Sequence, residues 1–566
     1  MKKKIIGNIL ALTTILSCAC GCFDFGQKPV ENVETIKYES ILSSQDTKKL
    51  APEESFTIPI NKDISGKEYI KMLLKSNVHL LGKYVYCNVE NNSEVVEEEF
   101  FIEAATDGKT IEFKQFFDSF RPDHTNPYPY GTTVGEDPIC KGSPGRFNKI
   151  LKSITFTNKS DTAGAVTVED FSVSDRTIPE FEKEVYIESG YLKVGADLSC
   201  GGILTYLERT NYNGQTIDEV IDNDGNVYIG VNAKENAQTY FSSSVNLINT
   251  PDPGRQFQQS YYAHVGGIEG DTAESVKKHG LSAEVKPSDY GKNGYERGWA
   301  LTAGDGGHYW PYNPVQGGNM WSQPSQIIDY SVSDTEIYVK VRAMDWAKKD
   351  YPTKSYMENW YTIKDNMVYV TNRFIDWNGF TDMDSVPAHS NELPAAYVVH
   401  PLNNYVCYIG DEPWTGDDEN LEIRSDLVSW AGADAHRNPK HEEDWFAWVN
   451  SDLFGVGVYI PNVQTYVSGR SVTSTSKDLS ANKNAFSAIM NNDLRYNKRE
   501  ATYAYMSCYT GNTDYTAPVR AWTMRTYEAM SYQYVMAVDY LPTIRSKFYK
   551  IFSSGEVKNE MLSKWN

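Results

Sequence analysis

Positive charge is scarce in this chain. Lys and Arg number 54 against 75 Asp and Glu, for a formal net charge of −21. Gripping a phosphate backbone takes clustered Lys and Arg, so no nucleic-acid partner is expected. Cysteine is scarce too, with 8 in 566 residues. Beyond Cys18, Cys20 and Cys22 come only Cys87, Cys140, Cys200, Cys407 and Cys508, dispersed and without a CxxC pair. Such a set makes neither a disulfide framework nor a zinc site. Cys87 and Cys140 fall in one segment and are open to pairing; the others read as small buried hydrophobes. GxSxG, P-loop and HExxH motifs are missing. The run Asp222–Asn226 lacks the spacing and closing Glu of a calcium loop and reads as a hairpin turn. No metal or other cofactor is called for. No βαβ alternation occurs, which excludes Rossmann and TIM-barrel folds, and no propeller period is visible.

Long apolar runs are absent as well. Ile5–Leu16, behind Lys2, Lys3 and Lys4, is too short to span a bilayer and predicts a signal peptide. It ends in Ile15-Leu16-Ser17-Cys18, which resembles the bacterial lipoprotein box. That resemblance implies a signal over 1–17, lipidation of Cys18 (with Cys20 and Cys22 as alternatives), and a protein held at the bacterial cell surface by its lipid alone. Residues 18–54 are polar without an apolar period and predict a flexible tether.

Aromatic residues are abundant: 39 Tyr, 12 Trp and 22 Phe, alongside 40 Gly and 24 Pro. This composition suits strands and surfaces that stack on sugar rings, and it predicts a mainly β fold. Residues 55–180 are expected to form a first β-sandwich, with strands near Phe100–Ile102, Ile111–Phe113, Ser153–Asn158 and Ala165–Val173 and a short helix over Glu68–Leu74. Residues 181–553 predict a large antiparallel supersandwich holding the catalytic region. In Glu336–Ala343 the apolar Ile337, Val339, Val341 and Ala343 alternate with Tyr338, Lys340 and Arg342, as in a strand with one wet face. Further strands are expected at Asn226–Val231, Met367–Phe374, Phe454–Ile460 and Tyr534–Tyr540. A helix around Thr543–Phe552 precedes a tail over 554–566.

Four polar-aromatic clusters carry the possible chemistry. In Asn249–His264, prolines and a glycine put Asp252 and Arg255 on a turn, followed by Gln258, Gln259, Tyr261, Tyr262 and His264. These groups could wall a site for hydroxyls; the plain alternative is an Asp252–Arg255 pair stiffening the turn. In Gly306–Trp321, Trp310 and Trp321 could stack on a pyranose while Asn313 and Gln316 bond its hydroxyls, or the loop could simply pack on the sheet. In Pro387–Pro401, Glu392 precedes apolar Leu393-Pro394-Ala395, surroundings that favour a protonated general acid, with His389 to orient it or act as base. A Glu accepting backbone N–H groups at a turn is the competing reading. In His436–Asn450, Glu442, Glu443 and Asp444 could supply a second carboxylate, but a run of acids more commonly marks a solvated turn or a helix start.

Taken together, Val194–Leu207, Asn246–Tyr262, the Tyr312–Gly318 run, His389–Tyr397 and the Tyr408–Gly416 run resemble secreted bacterial proteins with a galactose-mutarotase-like β-supersandwich, over roughly 190–550. Residues 150–175 resemble the last strands of jelly-roll carbohydrate-binding modules. The resemblance implies a polysaccharide or oligosaccharide partner and a site on a concave sheet face. The resemblance says little about the reaction; from the residues, the leading expectation is a glycoside hydrolase with Glu392 as acid and Asp252 as carboxylate partner, with Arg255, Gln258, Gln259, Tyr261, Tyr262, His264, Trp310, Asn313, Gln316 and Trp321 around the sugar. A lyase abstracting a proton with Tyr261, Tyr262 or His389 and a non-catalytic glycan-binding lipoprotein remain alternatives.

Overall fold

The computed structural model describes residues 36–43, 45–67, 69–89, 95–105, 107–117, 149–175, 184–210, 219–221, 227–229, 246–248, 256–261, 313–319, 324–345, 352–377, 389–399, 402, 404–415, 420–424, 443–450, 453–460, 465–467, 470–472, 505–509, 513–522, 527 and 529–557. The segment expected to be a signal peptide, Cys18 and Cys140 lie outside them. No helix among the described residues is long and apolar enough to cross a membrane.

The chain is mainly β: an N-terminal sandwich is followed by a large antiparallel assembly. One sheet of the sandwich orders Glu39–Ser43, Gly164–Ser174, Tyr69–Ser76 and Ile111–Phe116, with Lys48–Leu50 added on Gly164–Ser174. The other orders Ser55–Asp63, Lys149–Asn158, Leu80–Asn88 and Val95–Ile102. Ile70, Met72, Phe100, Phe113, Phe156 and Phe171 fill the space between. Gly82 lets the Phe100 ring lie on its backbone, where a Cβ would come within 2.0 Å of that ring.

Two expectations are corrected here. The short helix over Glu68–Leu74 is instead the strand Tyr69–Ser76, because Ile70, Met72 and Leu74 alternate inward and both edges find antiparallel partners. Part of the expected tether is sheet: Glu39–Ser43 and Lys48–Leu50 pair with Gly164–Ser174. Their side chains are mostly exposed, with Leu50 buried, so they carry no apolar period to read.

The second assembly is built on a sheet of 14 strands among the described residues. One of its faces packs against the three-stranded sheet Glu184–Ser189, Leu192–Asp197 and Ile203–Arg209. Val194, Leu204 and Leu207 share that core with Ile337, Val339, Val341 and Met536. The expected alternation holds over Glu336–Val341, and Ile337, Val339, Val341 and Ala343 face this core, but Arg342, expected on the wet face, is 1% exposed, with its Nε donating to the Thr353 carbonyl and its guanidinium over the Trp377 ring. Strands occur at the other expected positions as well, and Glu219–Ile221 pairs antiparallel with Val227–Ile229, while the Asp222–Asn226 run lies outside the described residues. Cys87, Cys200 and Cys407 are buried.

The other face of the large sheet is covered from two ends. At one end lies the helix Leu541–Ser554, whose Leu541, Ile544, Phe548 and Ile551 recur at helical spacing and pack on Val535 and Ala537. It stops at Gly555, where φ of +63 lets the glycine N–H bond back to the Ile551 carbonyl at 3.0 Å. At the other end Ile328, Tyr356, Ile375, Trp377 and Ala529 join the core of the N-terminal sandwich. Ion pairs border this junction: Lys114–Asp329 at 2.5 Å, Lys354–Glu99 at 2.7 Å, and Arg373 with both Glu358, at 2.6 Å, and Glu103.

Burial alone would raise the Glu358 carboxyl. The charges of Lys340 and Arg373, with hydrogen bonds from Tyr338 and Arg373, outweigh burial and hold it below the ordinary 4.5. A depressed carboxyl stabilises the fold above its unfolded-state value and loses that contribution as pH falls through the folded-state value. The urea-midpoint gap between wild type and Glu358→Gln is therefore expected to narrow as pH is lowered from about 7 to about 3. A gap that stays constant over that range would contradict this electrostatic role.

Candidate functional site

Three of the four clusters meet on neighbouring strands. Gln258–Ser260 lies between Pro314–Val315 and His389–Val399 in the large sheet. Ser260 is the register partner of Glu392 on one side and of Val315 on the other. Val315 pairs in turn with Met344, and Pro314 with Asp345. Residues far apart in sequence thus form one cross-strand row, Glu392–Ser260–Val315–Met344. His389 opens its strand opposite Trp522, and Glu392 is also paired with Val519. A strand explains why these two residues stand between prolines without a helix.

Beneath the row the amide side chains form an internal network. Gln259 Nε2 donates to Asn359 Oδ1 at 2.6 Å and to the Glu358 carbonyl at 3.1 Å. Tyr261 OH donates to Gln259 Oε1 at 2.7 Å, and its ring stacks on Phe374 at 3.9 Å. Gln316 Oε1 accepts from the Gln259 backbone N–H, while Gln316 Nε2 donates to the Gly201 carbonyl at 3.0 Å and to Tyr361 OH at 3.3 Å. Tyr361 OH donates to the Gly202 carbonyl at 2.9 Å, and burial raises its pKa, which keeps it a donor. Gln258 Oε1 accepts from Gly317 N–H at 2.8 Å.

Gly201 makes the close approach possible. Its φ is +66, and a Cβ there would fall 2.0 Å from the Gln316 carbonyl oxygen.

This network changes the expected roles. Gln258, Gln259, Tyr261 and Gln316 were expected to bind sugar, yet all are buried, and Gln259, Tyr261 and Gln316 are 0% exposed. A buried amide that surrendered its internal partners would be left unsatisfied, at a cost of about 1–3 kcal/mol. They hold the strands in place instead. Asn313 differs: it is 0% exposed, and neither Oδ1 nor Nδ2 bonds to the protein among the described residues. Its backbone N–H donates to Asp345 Oδ2 at 3.2 Å, which sets a buried carboxylate beside an amide with capacity to spare. Asp345 was missed in the sequence, where it looks like an ordinary strand end; the legible signal is an acid closing an alternating strand opposite the aromatic-rich loop.

Asp252, Arg255, Tyr262, His264, Trp310 and Trp321 lie outside the described residues, as does Glu442. The fourth cluster does not join the row. Its strand, Trp445–Val449, has six strands between it and Gln258–Ser260. Glu443 is no solvated turn acid: it is 0% exposed, pairs with Arg545 at 2.8 Å and accepts from Trp445 Nε1 and the Trp414 N–H. Among the described residues no group of His, Cys, Asp and Glu could hold a metal ion.

No family model matches the chain, and no curated protein does. Solved structures similar to it include a galactose mutarotase related enzyme from Lactobacillus acidophilus, at 9% identity, covering 63% of this chain and 97% of that one, with a TM-score of 0.26. An alpha-mannosidase from Enterococcus faecalis V583 is 8% identical over 87% of this chain and 46% of that one, with a TM-score of 0.28. A family 11 carbohydrate-binding module from Clostridium thermocellum is 12% identical over 25% of this chain and 91% of that one, with a TM-score of 0.15. The chain thus spans under half of the mannosidase. Similarity at this level assigns the chain to no family, and the chemistry has to come from its own residues.

Proposed function

We propose that this protein is a carbohydrate-active enzyme, held at the cell surface through a lipid on Cys18, that hydrolyses glycosidic bonds at the Glu392–Ser260–Val315 row. Glu392 is the general acid. It protonates the glycosidic oxygen as the bond to the anomeric carbon breaks; Asp252 either attacks that carbon, giving a glycosyl-enzyme that water then hydrolyses with Glu392 as base, or activates a water to attack it directly. A carboxyl separation of about 5–5.5 Å gives retention, and about 6.5–9.5 Å gives inversion. Arg255, Tyr262, His264, Trp310 and Trp321, on the segments leading into or out of the row's strands, bind the sugar. Buried Gln258, Gln259 and Gln316 fix those strands, and Asn313 with Asp345 offers polar capacity at the row's edge.

The observation that carries this reading is the register: Glu392 lies directly across from Ser260, in the strand that follows Asp252 and Arg255. The test is product analysis with the full chain and a set of soluble polysaccharides. New reducing ends without a new ultraviolet-absorbing double bond are expected. A double bond in the product would replace hydrolysis with elimination, and binding without any product would leave a capture protein.

A further inference from the structure

The large sheet carries a half-buried strip between the N-terminal sandwich and the helix Leu541–Ser554. Tyr356, Ile375 and Ala529 lie under the sandwich, and Met367, Val535 and Ala537 under the helix. Between them Tyr338, Trp360, Thr371 and Gln533 fall in one register row across four strands. Register partners in antiparallel strands project from the same face, so the four side chains form a line on strands about 4.8 Å apart. All four remain partly exposed.

The row has the chemistry of a sugar platform. The Tyr338 and Trp360 rings lie 5.1 Å apart and tilted by 35°. Gln533 Nε2 donates to Thr371 Oγ1 at 3.1 Å, bringing an amide and a hydroxyl side by side. The Trp360 indole N–H donates to no protein group among the described residues, so it is open to a hydroxyl. Tyr338 OH is directed to Glu358 Oε1 at 2.8 Å, which fixes its ring. The bordering charges neutralise each other: Glu358 and Glu103 face Arg373, Lys114 faces Asp329, and Lys364 faces Glu556. Lys340 sits over the Tyr356 ring at 4.6 Å. An anion finds no surplus cation here, whereas C–H faces and hydroxyls of a neutral sugar find rings, an amide and hydroxyl groups.

We infer that this strip is a second binding face, taking a neutral saccharide chain along the row. It is separate from the cleavage row and rests on the carbohydrate reading only for its class of ligand. Native electrophoresis of the full chain through gels containing neutral glucans, mannans or galactans, with polygalacturonate as the anionic comparison, tests it. Retardation by a neutral polysaccharide is expected. Trp360→Ala should weaken it about tenfold, as for loss of one stacking ring, and Trp360→Phe should largely restore it. Gln533→Ala, a polar change at a partly exposed position, should weaken it less and covers the case in which Trp360→Ala misfolds. Retardation requires no cleavage, so its outcome is separate from that of any turnover assay. Wild-type retardation in both Trp360→Ala and Gln533→Ala, or retardation by polygalacturonate alone, would overturn the assignment.

Discussion

Replacing Glu443 with alanine is expected to lower the stability of the fold by about 3–5 kcal/mol, the range for removing one partner of a buried ion pair. Its side chain is 0% exposed and that of Arg545 only 7%. The guanidinium, held over the Tyr408 ring at 4.8 Å, would keep its charge with no carboxylate to face. Trp445 Nε1 and the Trp414 N–H would lose their acceptor at the same time. Most of the loss comes from stranding Arg545, so the double change Glu443→Gln with Arg545→Met should be milder than Glu443→Ala alone. Urea midpoints of the three proteins check this. A single-mutant loss below about 1 kcal/mol, as for a surface pair, would contradict the buried geometry.

Glu392→Gln is expected to reduce turnover of a cleaved glycan by about 10²–10⁴-fold, the usual contribution of a positioned general acid. Gln keeps the shape and much of the hydrogen bonding of Glu but cannot give up the proton. The loss should therefore fall in kcat, with KM little changed. Leaving groups that need no protonation, such as activated aryl glycosides, should show a smaller loss in bond cleavage. Full turnover in Glu392→Gln would remove the acid assignment and leave the row without its chemistry.

Strand Glu336–Asp345 is legible in the sequence because a buried and a wetter face alternate over Glu336–Val341, although Arg342 beyond is buried, and helix Leu541–Ser554 because its apolar residues recur at helical spacing. Tyr69–Ser76 misleads because five of its eight residues are apolar, so a helical stripe and a buried strand both fit; pairing on both edges decides. At the site, the residue types are legible but their roles are not. Gln259 and Gln316 look like ligand-binding amides because sequence gives hydrogen-bonding capacity and not the partners that use it. Glu443 looks solvated for a related reason: Arg545, which neutralises it, arrives from the closing helix. The convergence of Ser260, Val315 and Glu392 depends on long-range pairing, which local periodicity does not encode.

The central claim is that segments distant in the chain make one saccharide site around the Ser260–Glu392 pairing. A crystal structure of Glu392→Gln bound to an oligosaccharide tests it most directly. The account predicts a sugar ring within hydrogen-bonding reach of residue 392 and of Arg255, with the Asp252 carboxylate on the anomeric-carbon side. A sugar bound elsewhere on the chain, with Arg255 and residue 392 on opposite faces of the sheet, would contradict it.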